Sequence, residues 1–381
     1  MLYIKNGYIK TMVGPDIEGG CILIGDDGKI AAVGKDIPCP EGATVIDAQD
    51  RLVTPGCVDA HCHVGLDNQG MGWEGRDYNE IVDPITPQMR AIDSINPLDE
   101  AFPLGLQGGV TTVCTGPGSA NVLGGTFVAV KTVGRRADDM IVKEPIAMKC
   151  AFGENPKRCY RNSSDSSRMT TAAKLREMLF KAREYDRKIK AAGDDESKMP
   201  GFDMKLEALL PVIRGELPLK AHAHATEDIF TAIRIAKEFN VKLTLEHVTE
   251  GHLIADELAA EGYPCAVGPS LSDASKWELR NMTFETPGIL AKKGIKVSII
   301  TDADVIPQQY LPLCAGLAVK SGMDPFDALQ AITINPALHA GIADRVGSLE
   351  CGKDADIVLT DGCPFEVSTT VKYVFVNGER V

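Results

Sequence analysis

Between residues 55 and 342, short apolar runs alternate with stretches of helical periodicity. The apolar runs, read as strands, are Val58–His63, Thr111–Thr115, Ile146–Phe152, Leu219–His224, Lys242–His247, Pro264–Val267 and Lys296–Thr301. Helical patterns lie between them, as over Glu227–Phe239 and Ile254–Ala260. Residues 170–192 place Leu175, Met178, Leu179, Ala182 and Tyr185 on one helix face. Strand–helix alternation of this length predicts parallel βαβ units and an α/β fold, a (β/α)8 TIM-like barrel. Seven strands are clear and the eighth is left unassigned.

The two chain ends carry a different text. Leu2–Ile4, Gly7–Lys10, Cys21–Ile24, Lys29–Val33 and Ala43–Asp47 read as short strands between Gly, Asp and Pro turns. Asp356–Leu359 and Val371–Gly378 read the same way, and Val376-Asn-Gly echoes Lys5-Asn-Gly. These signals predict a small β-sandwich domain built from both termini, residues 1–54 and 343–381, with the barrel of 55–342 inserted between them. The polar Ala192–Gly201 segment reads as a loop.

Composition narrows the function classes. A net charge of −13 opposes binding to nucleic acid and to anionic membranes, so neither is expected as a partner. The eleven cysteines are odd in number and form no CxxC pair, which reads as reduced thiols in a cytoplasmic protein. No signal-type leader and no long apolar span is visible. The remaining partner is a small-molecule substrate, with self-association through exposed helices such as 170–192.

The chemistry sits at strand ends. His61-Cys62-His63 closes the first barrel strand, and side chains at i and i+2 point the same way, so both imidazoles face one point. His222 and His224 end a second strand and His247 a third, placing five of seven histidines where barrel active sites form. His222, still within its strand, is the expected ligand, and His224 is expected to line the substrate pocket. His252 and His339 fall on helical patterns and read as surface or packing residues. Asp302 directly follows an apolar strand and is preferred over Asp304 as the carboxylate. Neutral imidazoles with one carboxylate suit Zn²⁺ or a similar cation and leave positions open for water. Such a cation lowers the pKa of water towards ~7. Asp302 is the expected general base and acid, and His247 or His224 the expected oxyanion support.

Substrate contacts are expected from the loop after Val267. Trp277 suits an apolar or ring-bearing group and Arg280 a carboxylate, with Ser270, Lys276 and Asn281 nearby and Lys157 and Arg158 as rival anion binders. The glycine-rich Gly116–Gly125 segment fits neither a P-loop nor GxGxxG spacing and reads as a backbone loop near the pocket.

Thr54–His63 resembles the PG-x-x-D-x-H-x-H opening of the amidohydrolase superfamily. Ile300-Thr-Asp302 resembles its last-strand aspartate, and Asn335-Pro-Ala with Gly347–Val358 its closing segment. Within the superfamily the chain is most similar to the branch grouped with imidazolonepropionase. It looks closest to a set of poorly characterised amidohydrolases sharing Gly153–Arg158. The resemblance implies His61, His63, His222, His247 and Asp302 as metal-site positions and zinc as the commonest metal, with one or two ions. Binuclear members bridge their metals through a glutamate or a carboxylated lysine. Glu154 is taken here as that ligand and Lys149 as the alternative. The implied activity is hydrolysis of an amide or other C–N bond in a cyclic amide, N-acyl or peptide-like substrate. Deamination, ester hydrolysis, or a non-catalytic scaffold are the competing readings.

Overall fold

The computed structural model describes all residues, 1–381. Its central sheet has eight strands, numbered here in chain order: β1 Cys57–Cys62, β2 Val110–Thr115, β3 Leu123–Lys131, β4 Ile141–Ala151, β5 Leu219–Ala223, β6 Leu243–His247, β7 Cys265–Val267 and β8 Val297–Ile299. They pair in sequence order. At the seam, Asp302 N donates to His61 O (3.2 Å) and His63 N to Ala303 O (2.6 Å), so the two end strands meet in a nearly closed barrel.

The barrel is not wholly parallel. β3 runs antiparallel to both β2 and β4, while every other pairing is parallel. A parallel return needs a crossover of roughly a dozen residues or more. The connection between Thr115 and Leu123 is too short for one, so the chain folds back as a hairpin. The expectation of uniform βαβ alternation is corrected here, and β3 is the eighth strand that the pattern left unassigned. Its opening Gly124-Gly125 extends the glycine-rich run and disguises the strand start. Gly125 also carries a positive φ of 114°.

Helices cover the outer face. The long helix Arg168–Ala192 is capped by Ser167, whose side chain accepts from Thr170 N, and it buries Leu175, Met178, Leu179, Ala182 and Tyr185. Leu175, Met178, Leu179 and Ala182 join apolar residues of helix Thr226–Phe239 in a buried cluster that includes β5 residues Leu219, Ala221 and Ala223. No helix is long and apolar enough to cross a membrane. All eleven cysteines are free thiols.

A second eight-stranded sheet draws on both chain ends. Ile357–Thr360 pairs antiparallel with Leu52–Pro55, which pairs parallel with Leu2–Ile9. Ile4, Ile22, Ile24, Ile357 and Phe375 form its apolar core. Leu2–Ile4 and Gly7–Lys10, read above as two strands, are one strand with an irregular register between Ile4 and Gly7. Asn6 sits there at φ 55°, so the turn signal of Lys5-Asn-Gly becomes a bulge.

Candidate metal centre

Four parallel strands end at one rim of the barrel, and each delivers a side chain to the same point. His61 and His63 come from the end of β1, His222 from β5, His247 from β6 and Asp302 from just beyond β8. The ligand atoms of His61, His247 and Asp302 lie within 4.8 Å of one another, as do those of His222, His224 and His247. His247 belongs to both groups and joins them. His247 (φ 72°) and Asp302 (φ 51°) both sit in left-handed backbone, a strain of order 1–3 kcal/mol that packing must hold.

The imidazoles are oriented from behind. His61 Nδ1 donates to Glu246 Oε2 (2.9 Å), His63 Nδ1 to Gly116 O (2.8 Å) and His247 Nδ1 to Gly268 O (2.8 Å). Each bond fixes the tautomer that leaves Nε2 as a lone-pair donor. Burial lowers the pKa of His61 and His222 well below the usual value and that of His247 to about 4, so these rings are neutral. Burial pushes Asp302 the other way, but the surrounding His247, His63 and His61 rings outweigh it and hold the carboxyl well below its usual range. Asp302 Oδ1 is 3.4 Å from His63 Nε2 and 3.7 Å from His61 Nε2.

Three buried atoms at this point have no hydrogen-bond partner: His222 Nε2, His247 Nε2 and Asp302 Oδ1. Unpartnered buried polar atoms are costly, about 1–3 kcal/mol each. Two neutral nitrogens and an ionised oxygen, bare and converging, are a donor set that fits a divalent cation.

Lys149 and Glu154 are placed very differently. Lys149 lies inside β4, fully buried, with Nζ 2.9 Å from His61 Nε2. Burial lowers its amine to about 8. Glu154 heads the helix Glu154–Tyr160, belongs to neither ligand group, and uses its backbone N–H to donate to Glu278 Oε2 (3.0 Å). The lysine, not the glutamate, stands at the centre.

A model of the amidohydrolase family matches residues 52–381. The chain belongs to the amidohydrolase family. It is 30% identical to the amidohydrolase tasK of Hapsidospora irregularis over 94% of this chain and 39% of that protein. It is 23% identical to an adenine deaminase of Lactobacillus delbrueckii subsp. bulgaricus over 99% and 58%, and 25% identical to an imidazolonepropionase of Sphingopyxis alaskensis over 95% and 92%. It therefore spans less than two thirds of the first two. The crystal structure of an amidohydrolase from Thermotoga maritima superposes with a TM-score of 0.96 at 39% identity, over 100% of this chain and 99% of that one. The family is metal-dependent and acts on C–N bonds, in keeping with the donor set.

The amidohydrolase centre opens into a cavity of about 340 Å³, whose lining includes His63, His222, His224, Asp302, Lys276 and Arg158. His224 thus lines the pocket, with Nδ1 2.7 Å from Thr249 Oγ1. Trp277 and Arg280 do not line it. Trp277 is 57% exposed, and Arg280 stacks on its ring (3.4 Å) while pairing with buried Glu250 (2.8 Å). The turn at Trp277–Leu279 explains this, because Lys276 and Leu279 face the cavity and residues 277 and 280 share the outer side.

Several buried residues of the site carry no local signal in the sequence. Glu246 accepts from His61, from Lys220 Nζ (2.8 Å), from His339 Nε2 (2.8 Å) and from Thr244 Oγ1 (2.7 Å). His339, read above as surface or packing, is buried against the centre's supporting carboxylate. Glu278 lies 3.8 Å from His222 Nε2 and 3.7 Å from His224 Nε2, and pairs with Lys276 (2.5 Å).

Proposed function

We propose that this chain is a metal-dependent hydrolase that cleaves an amide or other C–N bond in a small polar substrate. The observation that carries the reading is the convergence of three bare buried donors, from β5, β6 and the end of β8, beside the His61–His63 pair. His61, His63, His222, His247 and Asp302 would hold one or two divalent cations, most simply zinc. Lys149 supplies the remaining ligand after its neutral amine adds CO₂, forming an N–C bond and releasing a proton. The product is an anionic carbamate where an ammonium would repel the cation.

A cation held there supplies Lewis acidity towards a substrate carbonyl and lowers the pKa of water. The chain's own residues do the rest. Asp302 is ionised, keeps 15% of its side chain exposed, and lies at the cavity, so it accepts a proton from the attacking water and hands it to the leaving nitrogen. His224, tied at Nδ1, keeps Nε2 free to donate to the oxygen that gains charge when it carries the proton there.

The test is metal analysis of the protein as isolated and after loading with Zn²⁺ or Mn²⁺, followed by a screen of N-acyl amino acids, dipeptides and cyclic ureides. The expected result is at least one tightly held cation per chain and cation-dependent hydrolysis. A folded protein that takes up no cation would end the proposal. Release of ammonia alone would redirect it to deamination at the same centre.

A further inference from the structure

In the cavity that Asp302 lines, the segment that follows β4 forms a wall the hydrolytic step does not use. Asn155 is its strut. Its Nδ2 donates to Ser119 Oγ (2.7 Å), which fixes Oδ1 as the acceptor for Arg158 Nη2 (3.3 Å) and Lys276 Nζ (3.4 Å). The loops carrying Ser119 and Lys276 therefore meet the helix Glu154–Tyr160 on one amide, and two cationic side chains, Arg158 and Lys276, line the same cavity.

The two cations differ in what they have left to give. Lys276 is neutralised by Glu278 at 2.5 Å. Arg158 has no carboxylate within ion-pairing distance, and its one side-chain bond is to the neutral Asn155. Lys157, its neighbour, does not line the cavity, and Arg280 is occupied by Glu250. Arg158 is thus the one lining arginine and it carries an unspent fork of donors. Asp273 and Asp304 also line the cavity but lie beyond ion-pair reach of it. Most of the lining residues are polar or charged, which suits a substrate with polar groups to be held.

We propose that Arg158, steadied by Asn155, binds a carboxylate on the substrate, so that the substrate class is a small amide bearing a free carboxylate. The guanidinium offers parallel N–H groups that match a carboxylate in two-point contact. This inference rests on the hydrolase reading for the chemistry at the other end of the substrate.

Two probes matched but for one charge, N-acetyl-L-alanine and N-acetyl-L-alaninamide, are titrated calorimetrically into the metal-loaded full chain. The acid is expected to bind about ten- to a hundredfold more tightly. Arg158→Met removes the preference and Arg158→Lys keeps part of it, with melting temperatures unchanged because the side chain is exposed. Equal binding of the two probes, no binding of either, or a preference that survives Arg158→Met overturns the proposal. Turnover separates it from the reading beneath it. An Arg158-dependent preference with no acetate released from the acid leaves the subsite standing and counts against hydrolysis. Equal kcat/KM for acid and amide leaves the hydrolase standing and removes the subsite.

Discussion

Lys149 Nζ lies 2.9 Å from His61 Nε2, so a buried amine occupies the space that a cation bound by His61 would need. An ammonium and a divalent cation repel at that range, so one must yield. Conversion of the amine to a carbamate resolves the conflict by reversing its charge. Lys149→Met should therefore lose most bound zinc and at least ~10²-fold in turnover, because the ligand that a carbamate there would supply goes with it. Short carboxylates added in millimolar amounts should restore part of both. Carbon-13-labelled bicarbonate should give a carbamate resonance in the loaded wild type that is missing from the variant. An unchanged zinc content in Lys149→Met would exclude the lysine as a ligand.

The pH dependence has a definite sign. Burial holds the Lys149 amine at about 8, below its usual value of 10.5. Between these values the unfolded chain binds the extra proton and the folded chain does not, so the metal-free protein gains stability as pH rises through that window. Below about 8 the buried charge costs the fold its full penalty, roughly 3 kcal/mol. Metal-free Lys149→Met should then be more stable than wild type near pH 7, and the difference should shrink towards pH 10. Urea unfolding at both pH values measures it. Zinc uptake with bicarbonate should likewise accelerate through about pH 8, since only the neutral amine adds CO₂.

Asp302→Asn preserves shape and removes the carboxylate proposed to carry the proton. Because Asp302 Oδ1 makes no hydrogen bond within the chain, the fold should persist. Turnover should fall by ~10²-fold or more. Circular dichroism with initial rates on any substrate found in the screen decides this, and near-normal activity would mean that the proton moves through another group.

What the sequence made legible follows from geometry that is local. The i, i+2 spacing of His61 and His63, and the strand-end positions of His222, His247 and Asp302, survive translation into three dimensions because strands alternate faces and barrel strands end at one rim. Lys149 against Glu154 was undecidable, since a lysine within a strand reads as half-exposed until the barrel closes around it. Glu246 left no trace, because its partner His61 is 185 positions away. Trp277 and Arg280 belong to a loop that reaches the cavity but lie on the outer side of a single helical turn, a side that loop sequence does not specify. β3 hid behind glycines whose role is to let a hairpin form.

Glu246 joins the metal centre to the barrel interior. It receives four donors in a fully buried site, and Lys220 and His339 hold its carboxyl well below the usual range against the effect of burial. Glu246→Gln leaves Lys220 as a buried charge without a counter-ion, a loss of about 3–5 kcal/mol. It also frees the His61 ring, which should weaken zinc binding by ~10–100-fold. His339→Asn removes one donor only and should cost less in stability, with zinc affinity almost unchanged. Denaturant titration paired with chelator competition separates the two effects. Glu246→Gln with lowered stability but wild-type zinc affinity would show that the carboxylate supports the barrel and does not orient His61.

Asp59 closes the seam that carries both halves of the site. From inside β1 its Oδ1 accepts from His61 N (3.1 Å), and its Oδ2 accepts from Thr301 Oγ1 (2.6 Å), Thr301 N (3.2 Å) and Gln308 Nε2 (2.9 Å) beyond β8. One carboxylate thus sets the spacing of His61 and Asp302, which lie on opposite sides of that seam. Asp59→Asn turns one acceptor into a donor facing donors, at a cost of about 1–3 kcal/mol for each group left unsatisfied. If the seam spaces the ligands, the variant should also bind zinc less tightly, and the rise in melting temperature on adding zinc should be smaller than in wild type. A lower melting temperature with an undiminished zinc-induced rise would reduce Asp59 to a stabilising residue with no part in shaping the centre.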